Sequence, residues 1–186
     1  MADELGVDRK AISHHVNDRG TLLGLVALDA FETGFSAVRI SAHTPWQEAC
    51  RGYAIGMATS AMAVGVLAEH LHLDELRTTR SLEATEALLK KLVETGFDDE
   101  TAVRLLALLT NICAAYARDI GLASRHVVRP RRLQLREALD ERDSQVFENL
   151  ARIATSPVDT YDEKQLDMSI DIFIRGAEGL LLHQRA

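Results

Sequence analysis

The chain has 186 residues, 47% apolar but only 5% aromatic, with three prolines. That length suits one compact domain or a small head on a larger body. The weight of Ala and Leu over β-branched and aromatic residues favours an all-α fold. A net charge of -7 argues against broad affinity for nucleic acid, because phosphate neutralisation needs clustered Lys and Arg, so any DNA contact has to be local. No run approaches the roughly 18 apolar residues that span a bilayer, and no basic stretch leads into an apolar signal core. Cys50 and Cys113 sit in neither paired nor metal-ligand spacing. The expectation is a cytoplasmic protein with reduced thiols and no membrane partner.

In chain order, a short helix from Ala2 to Leu5 meets Gly6, whose missing side chain permits a tight turn. Asp8 can cap a second helix with Ile12 and Val16 facing inward, leaving Arg9, Lys10, Ser13, His14 and His15 outside. Leu22 and Leu23 open a long connecting helix. Thr44-Pro45-Trp46-Gln47 offers a hydroxyl cap, a proline at the first helical position and a glutamine three residues on, a capping box. The helix it starts carries Trp46, Ala49, Cys50, Tyr53, Met57, Ala61 and Val64 on one face. A third apolar run, Leu82, Leu88, Leu89, Leu92 and Val93, stops at Gly96, and Asp98 caps the next. That next helix carries Ala102, Leu105, Leu109, Ile112, Cys113, Tyr116 and Ile120 and is expected to end at Gly121.

From Ser124 to Asp143 the chain is rich in Arg and interrupted by Pro130, and reads as a connection holding one short helix. Its basic residues Arg125, Arg129, Arg131, Arg132 and Arg136 are followed by Glu137, Asp140 and Glu141, which marks a solvated loop rather than a phosphate site. Thr160 with Glu163 forms a second capping box. It opens a final helix with the stripe Leu166, Ile170, Phe173, Ala177, Leu180 and Leu181, expected to pack on a second subunit. The dimer expected is built from the helices Ala102–Ile120 and Gln165–Leu182, with Phe173 at the interface. No H-E-x-x-H, G-x-S-x-G, phosphate loop or CxxC supports an enzyme.

The first thirty residues follow the helix-turn-helix pattern, in which the second helix lays its N-terminal residues against base edges in the major groove. From Ala2 to Ala27 the sequence resembles the signature of the TetR family, with Ala2, Leu5, Gly6, Val7, Ile12, His15, Val16, Leu22 and Leu23 in place. The body resembles the tetracycline-repressor branch, through T-P-W-Q and E-T-G-F-D-D-E-T-A. This implies an all-α, TetR-like fold: a partial head and connecting helix over 1–41, then an effector-binding and dimerising domain over 42–186. It implies a transcriptional regulator of repressor type, held on a palindromic operator as a homodimer and released by a small, largely apolar effector. Arg9, Lys10, Ser13, His14, His15 and Arg19 are the residues it assigns to DNA.

The head departs from the family by lacking the first helix, and residues 1–20 hold three basic against four acidic side chains. Operator binding is therefore expected once that helix is restored. The alternative is a helical, dimeric small-molecule-binding protein that no longer binds DNA.

The positions that line the branch's ligand cavity fall on Phe35, Tyr53, Met57, Asn111 and Asp119. Ile112, Cys113 and Tyr116 extend the wall between the Trp46 and Ala102 helices. This lining suits a hydrophobic, aromatic effector, oriented by hydrogen bonds from Asn111, Tyr116 or a histidine. His70 and His72 fall near the branch's magnesium-binding histidine, and Asp119 where a carboxylate reaches that metal through water. Magnesium prefers an all-oxygen shell and retains its waters, so neither a resident metal nor any other cofactor is expected.

Overall fold

A computed structural model describes residues 19–71, 79–124, 131–140, 146–158 and 160–184. Among these residues the chain forms α-helices and one 3-10 helix, with no strand, as the composition requires. The helices are α1 (Arg19–Phe35), α2 (Trp46–Ala63), α3 (Thr79–Thr95), α4 (Asp99–Ser124), α5 (Arg131–Leu139), α6 (Glu148–Ala154) and α7 (Glu163–Gln184), with the 3-10 helix at Gly65–His70. The head residues Arg9, Lys10, Ser13, His14 and His15 lie outside the described residues, while Arg19 opens α1 with its side chain exposed.

Helix α2 is the axis of the body, and α1, α3, α4 and α7 all pack against it. Its sequence explains why. Ala49, Cys50, Tyr53, Ala54, Met57, Ala58 and Ala61 recur at helical spacing and are all buried, and the small side chains among them let neighbouring helices approach closely. Gly34 of α1 sits where an added Cβ would lie 2.9 Å from the Ser60 hydroxyl, and one on Gly24 would lie 3.3 Å from the His70 carbonyl. Close packing thus fixes α1 at two points, on α2 and on the 3-10 helix. Phe31 and Phe35 of α1 are wholly buried, so the second half of the connecting helix belongs to the core of the body. Burying each such ring contributes on the order of 1.5–3 kcal/mol.

The junction of α3 and α4 forms as the residues dictate. Gly96 takes a φ of 116°, its amide bonds to Val93 O, and the Phe97 amide bonds to Leu92 O, the paired closure that a left-handed glycine allows. The Thr101 amide donates to Asp98 Oδ1 at 2.7 Å, which is an N-cap.

Elsewhere local signals lose to tertiary ones. The Thr44 hydroxyl pairs with Ser41 Oγ and the Gln47 amide donates to Glu178 on α7, so no side chain caps α2 and the expected capping box does not form. Helix α4 runs past Gly121 to Ser124, since a glycine within a helix costs only about 1 kcal/mol. Asp162, not Thr160, caps α7 through the Gln165 amide. Leu82, Val93 and Leu180 face outward, because each stripe is narrower than the run of apolar residues that signals it. Helix α6 has no counterpart in the sequence reading.

Phe173 is 5% exposed and belongs to the core of its own subunit. The open apolar face of α7 is instead Met168, Ile172, Leu180 and Leu182, with Ile172 at 64% and Leu182 at 69% exposure. No helix among the described residues is long and apolar enough to cross a membrane.

Candidate functional site

The interior bounded by α1, α2, α3 and α4 gathers most of the expected effector residues. Phe31 stacks on Phe35 with ring centres 5.4 Å apart, and Phe35 meets the Tyr53 ring edge-on at 5.2 Å and 87°. Both geometries suit the aromatic quadrupole. Met57 and Cys113 are enclosed beside this ladder, and Ile112 is partly buried at its margin. His70 and Asp119 are partly buried and each has a bonded or charged partner. Asn111 is exposed on α4, outside the interior, and His72 lies outside the described residues.

Among the described residues the buried polar side chains are Glu32 of α1 and Ser60 of α2, and a further polar contact joins two hydroxyls. Tyr53 Oη lies 3.2 Å from Thr85 Oγ1 on α3, and the Thr110 hydroxyl on α4 acts on the same phenol. Burial raises the Tyr53 phenol above its ordinary value, and these two threonines partly offset the rise. Thr85 and Thr110 escape notice in the sequence because a threonine within a helix belongs to no motif. A signal does exist: Thr110 shares a helical row with Leu106, Cys113 and Ala117, all at least partly buried, and a polar residue inside an apolar row requires a partner.

Burial pushes the thiols of Cys50 and Cys113 up to about 12, so both are neutral and serve as small apolar fillers, neither nucleophiles nor metal ligands. Tyr116, three residues beyond Cys113 on α4, is 9% exposed. Loss of solvent raises its phenol first, followed by the carboxylates of Glu163, Asp162 and Asp167. Arg51 of α2 pairs with Asp171 and, at 3.8 Å, with Asp167, which ties α7 to the axis of the body. Among the described residues no three His, Cys, Asp or Glu converge to hold a metal ion. The interior between these helices is thus apolar and aromatic, with the Tyr53 and Thr85 hydroxyls in contact within it.

No family model and no curated protein sequence matches the chain. Solved structures do. The chain is similar to ActR of Streptomyces coelicolor, a TetR family protein, in its complex with actinorhodin: TM-score 0.76 and 22% identity over 97% of this chain and 85% of that one. Apo ActR gives 0.71 and 23% over 98% and 85%. A possible TetR family transcriptional regulator from Streptomyces coelicolor A3(2) gives 0.72 and 19% over 96% and 87%. The chain therefore has the fold of TetR family proteins, all-helical among the described residues.

Proposed function

We propose that the chain is a TetR-type transcriptional regulator, a repressor that holds a palindromic operator as a homodimer and leaves it when a small, largely apolar effector binds. The observation that carries this reading is the course of α1. Its first residue, Arg19, follows the segment with helix-turn-helix spacing, and its last turns place Phe31 and Phe35 in the aromatic ladder of the body. A molecule admitted beside Tyr53 and Met57 displaces the helix that leads to the DNA-reading residues. It shifts the protein between states by its differential affinity for them. That ActR is in complex with actinorhodin within the same fold supports an interior effector site formed by Phe35, Tyr53, Met57, Ile112, Cys113 and Tyr116, with Asn111, Asp119 and His70 at its margins; His72 lies outside the described residues.

The dimer forms through α4 and α7. Leu108 on α4 and Met168, Ile172, Leu180 and Leu182 on α7 are exposed, and a four-helix interface made from two copies buries them. The test joins both claims. Wild-type protein should sediment as a dimer and select from random duplexes a two-fold site with half-sites roughly 34 Å apart. Ile172→Glu should sediment as a monomer and lose that site. A wild-type dimer with no sequence preference at controlled salt would leave the DNA-free binding protein as the better reading, and an Ile172→Glu dimer would remove this interface.

A further inference from the structure

Two glycines inside α7 answer to nothing in their own subunit. We infer that Gly176 and Gly179 form a notch that receives Ile172 of a second copy of this chain, so that two α7 helices cross antiparallel and at close range beside Gly176. The inference rests on the dimer reading above and adds to it the register of the contact.

A glycine within a helix costs about 1 kcal/mol relative to alanine, and in α1 that cost has a visible reason. An added Cβ would lie 2.9 Å from the Ser60 hydroxyl at Gly34 and 3.3 Å from the His70 carbonyl at Gly24, so neighbours in the same chain press on both. A Cβ on Gly176 or Gly179 would meet nothing within 4 Å, and both residues are exposed. Of the described glycines open in this way, these are the two that share one helix face, three residues apart. The face continues into Ile172 and Met168, 64% and 51% exposed. Bare backbone beside projecting side chains lets a second helix approach to about 8 Å, the short end of the range for packed helices.

The occupant this face fits is its own copy. An isologous contact needs knob and hole, and both signs of charge, on one patch. Ile172 stands one turn before Gly176, and Arg175 one turn before Glu178. A two-fold axis beside Arg175 and Gly176 therefore lays each Ile172 between Gly176 and Gly179 of the other copy and carries each Arg175 toward the other copy's Glu178. Both charges are exposed. Among the described residues Arg175 pairs with no carboxylate of its own chain, and Glu178 holds only the neutral amide of Gln47. The plain alternative is that both glycines merely face solvent, in which case any larger residue is accepted there without effect on association.

Sedimentation equilibrium and crosslinking of the full chain test this. Gly176→Leu/Gly179→Leu fills the notch and should raise the dimer dissociation constant at least about tenfold, while the circular dichroism spectrum stays helical because leucine is the better helix former. Arg175→Glu should weaken the dimer, and Arg175→Glu/Glu178→Arg, which exchanges the two charges, should recover it. Cys50 and Cys113 are buried and neutral, so Gly176→Cys supplies a single accessible thiol. It should form a disulfide-linked dimer on mild oxidation, since bridged cysteines need Cα atoms within about 7 Å, whereas Glu163→Cys at the far end of α7 should not. An unchanged dissociation constant in the double leucine variant, no disulfide at Gly176→Cys, or a charge exchange that recovers nothing overturns the notch register and leaves the α4–α7 dimer standing. A wild-type chain that sediments as a monomer overturns both.

Discussion

The interior around α2 and the hairpin of α5 and α6 draw on similar aliphatic residues and end in opposite environments. Around α2 every apolar position of the stripe is buried, and among the described residues no buried side-chain polar atom lacks a hydrogen-bond partner. In the hairpin Ala154 alone is buried among the described residues. Leu133, Val146, Leu150 and Ile153 stay exposed, and α5 and α6 pack chiefly on each other, with Arg136 donating to the Ala154 carbonyl. The difference shows that apolar content does not define a core. Burial follows from how many other elements can reach a helix: α2 meets four helices, and each hairpin helix chiefly meets one. The stability of the body is accordingly concentrated in the first region and almost independent of the second.

The sharpest way to break this contrast is Met57→Arg. Met57 is 1% exposed, and a guanidinium there has no charged partner, so the variant should lose several kcal/mol and melt at least about 10 °C below wild type by circular dichroism. A variant that melts like wild type would mean that the space around Met57 is open to solvent.

A smaller effect lies at the start of α4. The amide of Thr101 holds the Asp98 carboxyl below its ordinary value, so the ionised cap stabilises the fold at neutral pH. Because the folded pKa is lowered, this contribution is complete above the unfolded value of about 3.9 and disappears as pH falls through the folded one. Asp98→Ala should lower the melting temperature at pH 7, and the gap from wild type should close in acid. A gap that stays constant from pH 7 to pH 2 would deny the ionic part of the cap.

The smallest effect belongs to the hairpin. Ile153 is 52% exposed, and Ile153→Ser should leave the melting temperature of the body within about 2 °C. A loss comparable to that of Met57→Arg would show that the hairpin shares the core after all.

Legibility in the sequence follows the same division. The stripes of α2 and α4 are visible because burial on one face imposes a period of three to four residues, and the Gly96 and Asp98 signals hold because each acts through backbone atoms a few residues away. The Thr44 and Thr160 boxes fail where a competing partner is nearer, Ser41 in one case and the better-placed Asp162 in the other. Phe173 and Leu180 exchange roles because a stripe at a chain's end does not say which of its edges meets its own subunit. Of the candidate site, the burial of Phe35, Tyr53, Met57 and Cys113 is readable from spacing. Its polar end is not, since Thr85 and Thr110 lie 25 residues apart and meet only because α3 and α4 both lean on α2.

The edge-on contact of Trp46 with Phe97, at 5.4 Å and 82°, has an optical consequence. Trp46 is the sole tryptophan of the chain. It sits at the first turn of α2 against the residue that follows the Gly96 closure, while Lys91 of α3 fastens the approach to α2 through the Ala42 carbonyl. Its indole is 7% exposed and surrounded by apolar side chains, so its emission is that of a sheltered ring and moves to longer wavelength when the joint between α2 and the α3–α4 turn opens. The intrinsic fluorescence of the protein is therefore a single-site gauge of that joint, blind to the hairpin, and separates loosening of the body from any change elsewhere in the chain.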